Sequence, residues 1–381
     1  MAGSTIECRR LRAADLPALD DFTIATYGAA GAHKGRDRIG WQFENTPFRP
    51  KDDVADPTIW AAVTEDGDVV GEIAVQDGEC RIDGAEYGAG WIVDVMVRPE
   101  YRGLGLSHRI HDEIMRERPC LITLTMAEAT RRIAERANCI TLGQTREYVC
   151  PHRLSTTTVR RYLKYKEGDR PDLVRWLRCF SNSLVGPAVV ALGLRATVGL
   201  KRIFSSKPAS VGFDFDEVDS FPDEVDDFWH DVKDAYPAIF DRSATFLNWR
   251  FRDCPELRYR RFLMHADGAL RGYLVTRVGT EEELPVGVVA DMFARPDDAP
   301  ALDALLEHAH RVLGPRSEYL AAAASTESYR FALRRAAFIG MRTMRPTVVC
   351  SDEAARSAFQ DNADAWHFTK ADHDWDQIHP S

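Results

Sequence analysis

The chain has 381 residues, 45% hydrophobic and 28% charged, the balance of a globular protein with length for roughly two or three domains. A formal net charge of −10 argues against nucleic-acid binding by the molecule as a whole, because such binding needs clustered Lys and Arg; any polyanion site must be local. Cysteines at Cys8, Cys80, Cys120, Cys139, Cys150, Cys179, Cys254 and Cys350 stand far apart, without a Cys-x-x-Cys pair or histidines at zinc-finger spacing, and read as reduced thiols.

From the N-terminus, "MAGSTIECRRLRAADLPAL" lacks the apolar run of roughly 7–15 residues found in secretory signals, and the expected compartment is cytoplasmic. "TIECRRL" predicts a first strand, followed by helices of which the second ends near Trp41. "TIWAAVTEDGDVVGEIAV" alternates around Asp66–Gly67 and predicts a hairpin. A long strand then runs to Pro99, an amphipathic helix covers "LSHRIHDEIMRE", and "CLITLTM" is a short apolar strand before a further helix and a final pair of strands. Residues 151–210 are basic and apolar, with helical spacing broken by Gly186, Pro187 and Gly193, and read as a helical connector. Within it, 172–204 also suits peripheral contact with a membrane, whereas Arg195 interrupts any run approaching the ~20 residues of a spanning helix.

The order of elements then repeats. W-x-F-x-x-x-P stands at Trp41, Phe43 and Pro47 and again at Trp249, Phe251 and Pro255; D-G-x-x-x-G at Asp66, Gly67 and Gly71 and again at Asp267, Gly268 and Gly272. "IVDVMVRP" matches "VADMFARP", placing Asp94, Arg98 and Pro99 on Asp291, Arg295 and Pro296. Three signatures in one order mark an internal duplication. The expected organisation is an N-terminal domain at 1–150, the connector at 151–210, a second copy at 211–352 and a tail at 353–381. The tail holds His367, His373 and His379 among aspartates; their spacing fits no standard metal site, so a solvated tail anchored by Trp366 and Trp375 is expected and no metal is assigned.

The chemistry concentrates in "VRPEYRGLGLSHRI". Gly103 and Gly105 let backbone approach a ligand, and the helix expected to begin near Leu104 offers free N–H groups and the positive end of its dipole to phosphate. Arg102 adds a fork of donors. The glycine spacing fits neither the dinucleotide fingerprint nor the P-loop, since His108 stands where a third glycine is needed. The second copy has "PDDAPALDALLEH" here, with Asp297, Asp298 and Pro300 and no glycine, so pyrophosphate would be repelled.

With its strand Asp94, Val97, Pro99, Tyr101 and its turn Arg102, Gly103, Leu104, Gly105, Leu106, Ser107, this stretch resembles motif A of the GNAT acyltransferase superfamily; Ser107 departs from the usual Gly or Ala. The resemblance implies an α/β fold of two tandem GNAT-like domains, each a mixed, mostly antiparallel sheet flanked by helices. It further implies acetyl-CoA or another acyl-CoA with its pyrophosphate on the turn, and its pantetheine arm paired with Val95, Met96 and Val97 in a V-shaped split between strands. The second copy would keep the fold, lose the cofactor and shape the acceptor pocket.

Acyl transfer to an amine needs a proton acceptor, and Asp94, a carboxylate in an apolar strand, is the first choice as base or as anchor for a substrate ammonium; its counterpart Asp291 in the second copy argues for a structural role instead. Glu72 could face the same cleft, although an exposed strand face explains it better. GNAT members often carry an acid tyrosine on the helix that corresponds to "AEATRRIAERAN", which has none; Tyr148 or a water would have to serve, and Tyr148 reads better as core. The expected reaction moves an acetyl or other short acyl group from CoA to an amine of a small molecule or amino sugar within a ternary complex. Alternatives are a non-catalytic acyl-CoA sensor, a tRNA-dependent aminoacyl transferase and a sugar O-acyltransferase. Oligomeric state is not legible.

Overall fold

The computed structural model describes residues 6–28, 35–50, 56–124, 131, 134–135, 138–153, 192–193, 212–281 and 283–378. Its elements in the first half are β1 (Ile6–Arg10), α1 (Leu16–Tyr27), α2 (Arg36–Ile39), β2 (Ile59–Thr64), β3 (Val69–Ile82), β4 (Ala85–Val97), α3 (Leu106–Glu117), β5 (Cys120–Thr123), β6 (Ile140–Thr141) and β7 (Thr145–Pro151). The second half has β8 (Asp214–Val218), α4 (Glu224–Val232), β9 (Ala238–Phe240), α5 (Ala244–Phe251), β10 (Arg260–Ala266), β11 (Ala269–Glu281), β12 (Leu284–Ala294), α6 (Ala299–Leu313), β13 (Tyr319–Ala324), α7 (Glu327–Arg335), β14 (Ile339–Met344) and β15 (Thr347–Cys350). The chain closes with α8 (Glu353–Asp361) and β16 (Trp366–His367).

The duplication is visible down to single residues. Both D-G turns join adjacent antiparallel strands, and Gly67, Asp267 and Gly268 take the positive φ that such tight reversals require. The two long hairpins carry a bulge at matching places: opposite Ala74/Val75 the extra residue is Val93, just before Asp94, and opposite Val275/Thr276 it is Ala290, just before Asp291. The repeated tryptophans meet across the pseudo-symmetry axis. Trp41 stacks on Trp249 at 5.1 Å, and each indole N–H donates to the other's backbone carbonyl, at 2.7 and 3.0 Å. Such a ring pair adds about 1 kcal/mol to the burial of both rings.

The sheets run β1-β2-β3-β4-β5-β15-β6 and β8-β10-β11-β12-β13-β7-β14. The halves therefore exchange a strand: β7 of the first half lies between β13 and β14, and β15 of the second lies between β5 and β6. Exchange puts Cys120 opposite Cys350, Cα atoms 4.2 Å apart, and the pair forms a disulfide across a separation of 230 residues. The expectation of eight reduced thiols fails for this pair, because nothing in the sequence sets β5 beside β15; Cys8, Cys80, Cys139, Cys150 and Cys254 are free. Most of the expected connector at 151–210, including nearly all of 172–204, lies outside the described residues. No described helix is long and apolar enough to cross a membrane.

The tail is not solvated. β16 pairs with β9, which itself pairs with the end of β3, so the tail is stitched into the first sheet before it crosses to the second. Beyond β16, Asp372 and Asp291 both pair with Arg242, Asp376 pairs with Arg250 and Tyr259, and Lys370 pairs with Glu147 at 2.8 Å. Arg242, Arg250, Lys370 and Asp376 are fully buried. Two of the aspartates that made the tail look hydrophilic, Asp372 and Asp376, are instead paired with buried arginines of the second half.

Candidate functional site

The glycine turn forms as its composition requires. A short 3-10 turn over Pro99–Tyr101 ends β4; Gly103 and Gly105 follow with φ of +86° and +71°, and α3 starts at Leu106, slightly later than expected. No side chain caps this helix, and the space that a Cβ on Gly103 or Gly105 would enter is open. Leu104 between them is 58% exposed, and Arg102 lies alongside with its Nε donating to the Val97 carbonyl at 3.2 Å. Among the described residues, the first-turn amides at Leu106 and Ser107 have no capping acceptor. In the second half the same place is closed: the Asp298 carboxylate accepts from the Ala301 amide at 3.1 Å and pairs with Arg271.

Next to the turn the sheet splits. β4 pairs with β5 only at Gly90–Leu121 and Trp91–Ile122, then runs on from Ile92 to Val97 while β5 ends. Val93 through Val97 are half-buried along this edge, on which no described strand pairs beyond Trp91–Ile122, with Val95 and Val97 packed toward α3 and Met96 toward α1. β12 likewise leaves β13 after Val288–Ala321, but Ala290 through Ala294 are all buried. Tyr329 of α7 fills this second split: its hydroxyl donates to the Ala294 carbonyl at 2.8 Å and accepts from the Ala294 amide at 3.0 Å. The tail covers the rest, with Thr369 donating to Asp291 at 2.8 Å. One fold thus carries two equivalent splits, the second packed with side chains and the first without such a filling side chain among the described residues.

On the face of the first sheet covered by α1 and α2, a small cleft, partly open to solvent, is lined by Leu19, Thr23, Arg38, Ile39, Phe43, Ile59, Glu72, Ala74 and Asp94. Glu72, expected on an exposed face, is 5% exposed, because α1 packs over β3 and brings Tyr27 to its carboxylate at 3.4 Å. Burial, then the charges of Glu72 and Asp94, hold the Tyr27 phenol far above its ordinary pKa, so it stays a neutral donor. Sequence reading missed Tyr27, since a tyrosine at a helix end carries no motif. Arg38 is buried, donates to Gln42 at 2.7 Å and lies 3.7 Å from Asp374 of the tail. Tyr148, weighed as a proton donor, is buried on β7 in the other sheet and is core. Among the described residues no group of three or more His, Cys, Asp and Glu is placed to hold a metal ion; His379 lies outside them.

An uncapped helix start beside a parallel split has the amides and dipole that suit an anion, and comparison names the fold. Residues 34–134 match the model of the acetyltransferase (GNAT) domain. The chain has the acyl-CoA N-acyltransferase fold. No curated protein matches it in sequence. Among solved structures, a GCN5-related N-acetyltransferase from Anabaena variabilis aligns with TM-score 0.55 at 10% identity, over 90% of this chain and 72% of that one. A probable N-acyltransferase from Enterococcus faecalis aligns with TM-score 0.56 at 10% identity, over 91% and 72%. N-myristoyltransferase of Saccharomyces cerevisiae, solved with bound myristoyl-CoA, aligns with TM-score 0.55 at 11% identity, over 92% and 81%. The GNAT match ends at residue 134, within the first half.

Proposed function

We propose that this GNAT protein is an acyltransferase that moves an acetyl or other short acyl group from acyl-CoA to the amine of a small molecule or amino sugar, using the first-half site alone. The observation that carries this reading is the contrast between the halves: among the described residues, only the first combines a split that no side chain fills with an uncapped helix start. In this reading the pyrophosphate sits on the turn formed by Arg102, Gly103, Leu104, Gly105, Leu106 and Ser107. The pantetheine amides pair with the free edge of Val95, Met96 and Val97, which brings the thioester toward Asp94.

The acceptor amine enters the α1/α2 cleft as an ammonium held by Glu72 and Asp94 and gives up a proton to that pair, directly or through water. The neutral nitrogen attacks the thioester carbon, and collapse of the tetrahedral adduct breaks the C–S bond. As the adduct collapses the nitrogen sheds its remaining extra proton and the departing thiolate takes one up; Tyr27, kept protonated by burial and by the neighbouring carboxylates, serves as a hydrogen-bond donor to Glu72 and not as the acid. The second half supplies the exchanged strand and the arginines that hold the tail.

A thiol-release assay with acetyl-, malonyl- and long-chain acyl-CoA across amines, amino sugars and peptides tests the activity. Asp94→Asn is expected to lower kcat by about 10²-fold, the usual scale for loss of a general base, with acyl-CoA affinity nearly unchanged. Wild-type kcat in Asp94→Asn and in Glu72→Gln alike would remove both carboxylates from the mechanism.

A further inference from the structure

The tail does more than seal the second split. After Asp372 it turns toward the first half, and His373 Nε2 donates to the carbonyl of Ile92 at 3.2 Å, its ring edge-on to Trp91 at 5.4 Å. That carbonyl lies one residue beyond the last rung between β4 and β5, and its peptide leads into the extra residue Val93 and then Asp94. The other ring nitrogen of His373 lies against the Asp374 carboxylate as an ion pair without hydrogen-bond geometry, and Asp374 in turn lies beside Arg38 in the wall of the acceptor cleft.

We propose that the C-terminal strap completes the first-half site, with His373 as a positioning residue that holds the Ile92 carbonyl at the β4 bulge and, through Asp374, the guanidinium of Arg38 at the acceptor cleft. The inference rests on the acyltransferase reading of that site. The ring donates to Ile92 in either protonation state, but its contact with the Asp374 carboxylate is an ion pair only as the imidazolium. The charged groups facing it among the described residues favour that form: Asp374 from the strap, Asp94 from β4 and, behind Asp374, Arg38 from α2. Burial alone would lower the imidazole's pKa, but Asp374, the Ile92 carbonyl and Asp94 together raise it above the ordinary value of 6.5. The ion pair with Asp374 therefore holds below that raised value and is lost as pH rises through it.

The test is kcat against pH for the wild type, His373→Gln and His373→Ala, with acetyl-CoA affinity measured in parallel. His373→Ala should lose about 10²-fold in kcat, the effect of a ~1 Å misplacement at a reacting centre, with acetyl-CoA affinity within about twofold. His373→Gln keeps one donor, so it should recover most of that loss while lacking the limb of the wild-type profile that falls above pH 6.5. If His373→Ala fails to fold, the missing limb in His373→Gln decides. A wild-type profile reproduced by His373→Gln overturns the proposal. Should the wild type cleave no thioester with any amine, the acyltransferase reading falls on its own. His373 is then judged by its imidazole C–H resonance, assigned by its loss in His373→Gln, which must shift on saturation with acetyl-CoA; an unmoved resonance overturns the role of the strap.

Discussion

Gly105→Glu is expected to weaken acyl-CoA binding by at least about a hundredfold, or ~2.7 kcal/mol, while Asp298→Ala leaves it unchanged. Gly105 is the N-cap of α3 at φ +71°, and a Cβ there meets no atom within 4 Å, so the loss will not come from a clash. It has two sources. A residue other than glycine pays roughly 1–2 kcal/mol to remain left-handed. The new carboxylate also stands where the diphosphate is proposed to sit, reversing the sign of the field at the helix start. Asp298 is the matching cap of α6, so Asp298→Ala should cost ~1 kcal/mol of folding stability through the lost cap and nothing in ligand affinity. Calorimetric titration with acetyl-CoA, alongside melting curves, checks both. Equal losses of affinity would mean that the halves have been assigned the wrong way round.

Asp376→Ala is expected to destabilise the protein by about 3–5 kcal/mol, the largest single-residue effect on folding in this account. Asp376 is fully buried between Arg250 and Tyr259, and its backbone carbonyl accepts from Arg277. Removing the carboxylate strands a guanidinium that is itself fully buried, and a buried charge without its counter-ion loses far more than the pair contributes when intact. A solvated tail would show a change within about ±0.5 kcal/mol, the ordinary range for surface substitutions. Chemical denaturation of the two proteins separates these outcomes. The strap carries His373, so the same substitution should also lower activity in whatever fraction stays folded.

Much of the fold was legible because duplicated signatures fall where backbone geometry is constrained. The D-G turns, the strand ends at Pro99 and Pro296 and the paired tryptophans repeat because the same turns and the same axial contact are built twice. The glycine turn was legible for the same reason, since a positive φ next to an open space leaves few alternatives to glycine. What could not be read depends on which chain segment pairs with which. The exchange of β7 and β15 leaves each strand's alternation unchanged, so no local pattern reports it, and the Cys120–Cys350 bond is hidden with it. The tail misled because its aspartates look solvated until Arg242 and Arg250 are seen buried beside them. Glu72 misled in the same way, because the helix that buries it is distant in sequence.

The central claim is that the open split of the first half, and not the packed split of the second, takes acyl-CoA. The most direct measurement is a crystal structure of the protein with acetyl-CoA bound. The account predicts a diphosphate on the amides following Gly103 and a pantetheine arm along Val95 to Val97, with Tyr329 still bonded to Ala294. Acetyl-CoA lodged between β12 and β13 with Tyr329 displaced, or bound at neither split, would contradict it.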